Sequence, residues 1–217
     1  MNSIRCALFD LDGTLLNTNH LIIESFRHTF RHHLGIEIVP EDVYPFFGEP
    51  LITTLRRYSP ELAEAMVETY REFNWDNHDC LTTPFPGAAR CLEGLSARGC
   101  RVAVVTSKLR RTAHHGLEFF GLSRWVEAVV AYEDTERHKP HPEPILKALE
   151  VLDTGPEGVL MVGDSPLDLR CAKAAGVRSA AVSWSVYPLG QLTAENPEYV
   201  LDSLDDLIDG KVLLAGV

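Results

Sequence analysis

The stretch Ala7-Leu8-Phe9-Asp10-Leu11-Asp12-Gly13-Thr14-Leu15 decides how the chain is read. The apolar run from Ile4 to Phe9, broken only by Arg5, reads as a short buried strand. It ends in two carboxylates one residue apart. Side chains two apart on an extended chain point the same way, so Asp10 and Asp12 are expected to face one space. Gly13 then lets the chain turn where a bulkier residue would be strained. Two neighbouring carboxylates repel, which favours a metal ion between them or a proton on one of them. Taken alone, the motif is also compatible with a plain strand end and an Asp-Gly turn. The rest of the chain must decide.

The composition is that of an ordinary water-exposed globular chain: 217 residues, 45% hydrophobic and 24% charged. That length gives room for a core of ~150 residues and a modest insertion. Thirty-one acidic against twenty basic residues give a formal charge of -11. Such a balance argues against a nucleic-acid groove. It also requires local positive charge to capture any anionic substrate. The five cysteines, Cys6, Cys80, Cys91, Cys100 and Cys171, are scattered and contain no Cys-x-x-Cys pair. They are expected to be reduced thiols in a cytoplasmic protein. The first residues lead straight into the strand, so no signal peptide is expected. No apolar run approaches the ~18 residues of a membrane span.

After Leu16, Ile22, Phe26, Phe30 and Leu34 recur every fourth position, an amphipathic helix ending near Gly35. Leu51 to Tyr58 and Pro60 to Phe73 also read as helices, the second with Ser59 as N-cap and Pro60 at its first position. His28, His32 and His33 cluster, but no carboxylate or cysteine completes a metal set, so they read as a solvated helix face. At Thr83-Pro84-Phe85-Pro86-Gly87 the pattern changes. Beyond it, strand-like runs at 101–105, 126–131, 159–162, 179–182 and 199–201 alternate with helical ones. That alternation predicts βαβ units. The expected fold is α/β, a doubly wound parallel sheet over residues 1–15 and 81–217. A helical cap over 16–80 is inserted after the first strand.

In open parallel sheets, ligands bind beyond the carboxyl ends of the strands. Those ends carry Asp10 and Asp12; Thr106, Ser107 and Lys108; Lys139 within His138-Lys139-Pro140; and Asp164, with Asp168 one helical turn on. Carboxylates, hydroxyls and a lysine converging on one edge describe a magnesium and phosphate site. Oxygen ligands suit a hard cation such as Mg²⁺, and a hydroxyl with an ammonium suits phosphoryl oxygens.

With these residues in view, the chain resembles the haloacid dehalogenase superfamily of phosphotransferases. Four motifs carry the resemblance: Asp10-Leu-Asp12-Gly-Thr14, Val105-Thr106, Lys139-Pro140 and Gly163-Asp164-Ser-Pro-Leu-Asp168. The resemblance implies that Asp10 is a nucleophile forming an aspartyl-phosphate and that Asp12 is general acid and then base. It implies phosphate contacts from Thr106 and Lys139; Ser107, next to Thr106 at the same strand end, is a further candidate phosphate contact. It also implies Mg²⁺ held by Asp10, Asp12 through its backbone carbonyl, and Asp164, with Asp168 adjacent. His141 departs from the pattern, since relatives commonly carry an acidic residue after Lys-Pro.

The segment that follows the first motif, Leu15-Leu16-Asn17-Thr18-Asn19, is similar to that of bacterial inorganic pyrophosphatases in this superfamily. Phe73-Asn74, Asp76, His78-Asp79 and Val182-Ser183-Trp184 agree with this. The expected substrate is therefore pyrophosphate. A phosphomonoesterase for phosphoglycolate or a small sugar phosphate is the alternative, and a phosphosugar mutase a more distant one. Asn17, Lys108, Arg56 and Arg57 are the candidate contacts to the leaving group. The expected partner is a small phosphate compound, with no nucleic acid or membrane, for a monomer or weak homodimer.

Overall fold

The computed structural model describes residues 3–212 and 214. A six-stranded sheet forms from β1 (Cys6–Phe9), β4 (Arg101–Val105), β5 (Ala128–Val130), β6 (Val159–Gly163), β7 (Arg178–Val182) and β8 (Tyr199–Leu201). Their order is β5-β4-β1-β6-β7-β8, and every pairing is parallel. Parallel neighbours require crossovers, which α5 (Ala88–Ala97), α6 (Arg110–Phe119), α7 (Glu143–Val151) and α8 (Pro166–Ala175) supply. Strands covered on both faces should be apolar at every position, and β1 is buried throughout. Its alternate residues feed two cores. Ala7 and Phe9 pack with Val102, Val104, Leu160 and Val162 on one face. Cys6 and Leu8 pack with Ala103, Val105, Val159 and Met161 on the other. Successive strands leave β1 in both directions, so the switch in strand order falls at the C-terminal end of β1. The expected α/β, doubly wound parallel sheet is thus the observed one.

A helical layer built from α1 (Asn19–Leu34), α2 (Pro40–Val43), α3 (Leu51–Tyr58) and α4 (Ala63–Leu81) follows β1 in the chain. Its own core gathers Phe26, Phe30, Val43, Phe46, Leu55 and Met66. α1 stops where Gly35 takes a left-handed conformation, φ 65°. Two short strands at the neck, β2 (Leu16–Asn17) and β3 (Thr83–Pro84), pair antiparallel and tie the outgoing chain to the returning one.

The sequence expectation for Pro60 to Phe73 needs correction. α4 begins at Ala63 and runs to Leu81, with Leu62 rather than Ser59 in the capping position. Ser59 instead accepts the Leu62 amide at its carbonyl, closing a separate turn over Pro60-Glu61. The helix continues past Phe73 because Asn74 and His78, both polar, face inward and extend the buried stripe by another turn. The short α9 (Leu189–Thr193) had no counterpart in the sequence reading. The α1 histidines lie on a largely solvent-facing side, as expected: His28 and His32 are exposed, with His28 stacked on Phe73 at 4.6 Å, and the half-buried His33 is 2.8 Å from the Thr69 hydroxyl.

The helical layer and the sheet meet at several points. Tyr187 donates to the Phe47 carbonyl at 2.9 Å, and Ser107 to the Gly48 carbonyl at 3.1 Å. The guanidinium of Arg111 lies 3.8 Å from the Trp75 ring centroid. These contacts enclose a cavity of about 320 Å³ between the cap and the C-terminal ends of β1 and β4.

Candidate active site

Each functional side chain is held by a strand end or the loop that follows it. Asp10 is the first residue past β1, and its amide continues the ladder to the Val162 carbonyl at 2.9 Å. Gly13 closes the turn after it with φ 84°. A Cβ on Gly13 would lie 2.3 Å from an Asp164 carboxylate oxygen, so only glycine permits Asp164 to come this close. Asp164 follows β6, and Asp168 lies in the first turn of α8. There Asp168 and Ser165 form a reciprocal cap. The Ser165 amide and hydroxyl donate to Asp168 Oδ2 at 3.1 and 2.6 Å, while the Asp168 amide donates back to Ser165 Oγ at 3.3 Å. This leaves Asp168 Oδ1 free to turn into the site.

Lys139 is the centre of the arrangement. Its ammonium donates to Asp10 Oδ1 and to Asp168 Oδ1, both at 2.6 Å, and all three groups are buried. Asp10, Asp164 and Asp168 present carboxylate oxygens within 4.8 Å of one another. Three carboxylates against one ammonium leave an excess of negative charge in a water-poor setting. Burial pushes the Asp10 carboxyl up to about 7 despite the opposing pull of Lys139, and Asp168 and Asp12 add to the rise. Burial, then the charges of Asp10 and Asp168, raise Asp164 well above the usual carboxylate range. Burial works against the charge on Lys139, but Asp10 and Asp168 outweigh it and hold the proton firmly. A cluster of oxygen donors this starved of positive charge fits a hard divalent cation.

Asp12 stands apart from that cluster. Its side chain does not belong to the carboxylate triad, and Lys108 Nζ holds both its oxygens, at 3.0 and 3.1 Å. The two aspartates of the first motif therefore have different cations and different surroundings. Thr106 is buried beside them and accepts the Lys108 amide at 3.2 Å, which leaves its hydroxyl proton available. Ser107 was expected to hold phosphate. It lines the cavity, but its hydroxyl is engaged by the cap carbonyl of Gly48.

The cavity above Asp12 is lined by residues of both layers. Arg71, Asn74 and Trp75 come from α4, and Lys108 and Arg111 from the segment after β4. Arg56 and Arg57, expected as leaving-group contacts, do not line the cavity: Arg56 pairs with Glu64 on the exposed surface of the cap, and Arg57 pairs with the half-buried Glu49 at the cavity edge. Asn17 lies in the neck, where its side chain accepts the Asn19 amide at 3.4 Å. Arg71 and Arg111 were not anticipated from the sequence, and Asn74 was singled out there only for its part in the resemblance. On a helix they look like any solvated polar residue, and only the packing of α4 over α6 brings them to the mouth. The departure at His141 is local: its Nδ1 accepts the Glu143 amide at 3.1 Å.

Residues 7–182 match the family model described as Haloacid dehalogenase-like hydrolase. A protein of Caldanaerobacter subterraneus subsp. tengcongensis named "Putative pyrophosphatase PpaX" is 48% identical over 94% of this chain and 93% of its own. Pyrophosphatase PpaX of Bacillus mycoides is 42% identical over 94% and 95%. Among solved structures, a "Putative haloacid dehalogenase-like hydrolase" from Bacteroides fragilis superposes with a TM-score of 0.89. It has 26% identity, over 95% of this chain and 100% of that one. The chain belongs to the haloacid dehalogenase-like hydrolases, and it is an enzyme of phosphatase type.

Proposed function

We propose that the protein hydrolyses inorganic pyrophosphate to phosphate, with Mg²⁺, through an aspartyl-phosphate on Asp10. The observation that carries the reaction is the division of labour between the two aspartates. Asp10 sits against Lys139 and the carboxylate cluster, while Asp12 sits against Lys108 on the cavity side. The names of the relatives at 48% and 42% identity support the choice of pyrophosphate.

In this reading an Asp10 oxygen attacks phosphorus, the bond from phosphorus to the leaving phosphate breaks, and Asp12 gives that phosphate a proton. Water then attacks the phosphoryl group on Asp10, Asp12 takes the proton, and phosphate departs with Asp10 restored. Asp10, Asp164 and the backbone carbonyl of Asp12 would hold the cation, with Asp168 beside it. When bound, a divalent ion supplies the positive charge that lets a carboxylate approach a phosphate anion. Lys139 fixes the Asp10 oxygen and neutralises charge on the transferred group, and the Thr106 hydroxyl donates to a phosphoryl oxygen. Lys108, Arg71 and Arg111 offer cationic contacts to the leaving phosphate.

One feature favours a second reading. Ile22, Phe26, Phe46, Leu51 and Ile52 give the cavity an apolar wall that a phosphate leaving group does not need. A phosphomonoester whose leaving group carries carbon would use it. Phosphate release across pyrophosphate, phosphoglycolate and hexose phosphates separates the two. Pyrophosphate is expected to give the highest kcat/KM, and an ester preferred by about tenfold would overturn the assignment. Multiple-turnover phosphate release also distinguishes a hydrolase from a mutase. The same reading takes the protein as a cytoplasmic monomer or weak homodimer acting on a small phosphate compound. Four buried free thiols and the charge of -11 are in keeping with it. Among the described residues no helix is long and apolar enough to cross a membrane.

A further inference from the structure

A second group of potential metal ligands lies away from the catalytic carboxylates, where the cap meets the core. His78 and Asp79 belong to the end of α4, and His115 belongs to α6. Asp79 Oδ1 is 2.9 Å from His78 Nδ1 and 2.7 Å from His115 Nε2, so two imidazoles from two layers converge on one oxygen. The three ligand atoms lie within 4.8 Å of one another. We propose that His78, Asp79 and His115 bind a transition-metal ion of the Zn²⁺ type, with water in the fourth position, and that the bound ion ties the cap to the core.

The donor set discriminates between metals. Two imidazole nitrogens and one carboxylate suit tetrahedral Zn²⁺, whereas Mg²⁺ prefers the all-oxygen cluster around Asp10. The ligands are also held in place. His78 is fully buried, its ring 5.1 Å from that of His115 and 6.4 Å from that of Phe120. Its Nε2 has no hydrogen-bond partner and faces Gly116, where an added Cβ would lie 3.2 Å away. Ligation is therefore left to Nδ1, the nitrogen facing Asp79. Burial lowers the pKa of this histidine, which favours the neutral ring that metals require. Asp79 and His115 are partly exposed, 45% and 32% at the side chain, so an ion has an entry path and a water can complete the shell.

The consequence follows from position. Trp75 packs 4.9 Å from the His115 ring and, with Arg111, lines the substrate cavity. An ion joining α4 to α6 here holds the mouth shut and slows the opening that product release requires. This proposal does not depend on which phosphate compound is the substrate.

The test uses the full chain, saturated with Mg²⁺, in a Cys80→Ser background so that the neighbouring exposed thiol cannot take the ion. Zn²⁺ is titrated by calorimetry, and Co²⁺ serves as the spectroscopic probe. One equivalent of Zn²⁺ should bind, and Co²⁺ should give the intense visible bands of a tetrahedral site. His115→Gln and Asp79→Asn should each weaken Zn²⁺ binding by about tenfold or more. Their turnover in zinc-free Mg²⁺ should match the parent. Stoichiometric Zn²⁺ should lower kcat of the parent and leave both variants unaffected. Unchanged Zn²⁺ affinity in the two variants overturns the site. So does loss of binding in Asp164→Asn alone, which would place the ion among the catalytic carboxylates. Zn²⁺ bound at the site with kcat unchanged overturns the tie between cap and core.

Discussion

Lys108 grips both carboxylate oxygens of Asp12, at 3.0 and 3.1 Å, in a pair that is 8% exposed on the lysine and 20% on the aspartate. A chelated carboxylate has one orientation, and a proton donor must meet its leaving group within hydrogen-bond reach. Lys108→Ala is therefore expected to lower kcat/KM by about 10²-fold, the scale of a misplacement near 1 Å. Lys108→Arg should retain more activity than Lys108→Ala, because it can still hold two oxygens. Steady-state kinetics of the two variants decide the point: near-native kcat/KM in Lys108→Ala would show that Asp12 needs no such partner.

Asp10 is the carboxylate placed to attack. Asp10→Asn keeps the shape and removes the nucleophile, so turnover should fall by at least ~10⁴-fold, the scale seen when a covalent nucleophile is lost. The fold should survive, since Lys139 keeps its second partner Asp168. Circular dichroism establishes the fold, and phosphate release measures the loss. A folded Asp10→Asn protein with near-native turnover would remove the covalent route from consideration.

Asp164 offers a separate test of the cation site. Burial and two neighbouring carboxylates raise its pKa, so its charged form opposes folding when no cation is present. Asp164→Asn removes that charge. In EDTA the variant is expected to melt about 2–4 °C higher than the native protein, the shift for ~1 kcal/mol in a chain of this size. Added Mg²⁺ should raise the native melting temperature by mass action and leave the variant where it was. Catalysis in the variant should be lost or require far more Mg²⁺. Identical Mg²⁺ responses in the two proteins would exclude Asp164 as a ligand.

The strand framework and the residues at its edge were open to reading from sequence because each signal is local. β1 is an apolar run that ends in Asp10, and β6 is one that ends at Asp164. The first turn of α8 announces itself by Ser165-Pro166 with an acidic residue three positions on, the cap that the structure contains. The cap was harder for physical reasons. Ser59-Pro60 carries the chemistry of a helix start but closes an independent turn, which shifts the beginning of α4 to Ala63. Two-residue strands such as β2 and β3 have no periodicity to detect. The cavity cations were hidden because their role is tertiary. Arg56 and Arg57 are neighbours of carboxylates on their own surface, while Arg71 and Arg111 reach the mouth only when α4 crosses α6.

Those two arginines carry the last prediction. The cavity holds Arg71 and Arg111 beside Lys108, together with an apolar wall that includes Phe26, Phe46 and Leu51. A phosphate leaving group develops charge as its bond to phosphorus breaks, so cationic contacts matter more in the transition state than in the bound substrate. A phenolate departing from phenyl phosphate carries one diffuse charge and finds apolar partners in Phe26, Phe46 and Leu51 instead. Arg71→Ala and Arg111→Ala should therefore reduce kcat/KM for pyrophosphate by about tenfold more than for phenyl phosphate. Tenfold is ~1.4 kcal/mol, the strength of a modest charge-assisted hydrogen bond. Arg111 also stacks on Trp75, so its replacement removes packing as well as charge. Arg111→Met keeps much of that bulk without the charge, and it should show the same selective loss. If both substrates suffer equally in Arg71→Ala and Arg111→Met, the arginines act on cap closure and not on the leaving group, and the cationic argument for pyrophosphate fails.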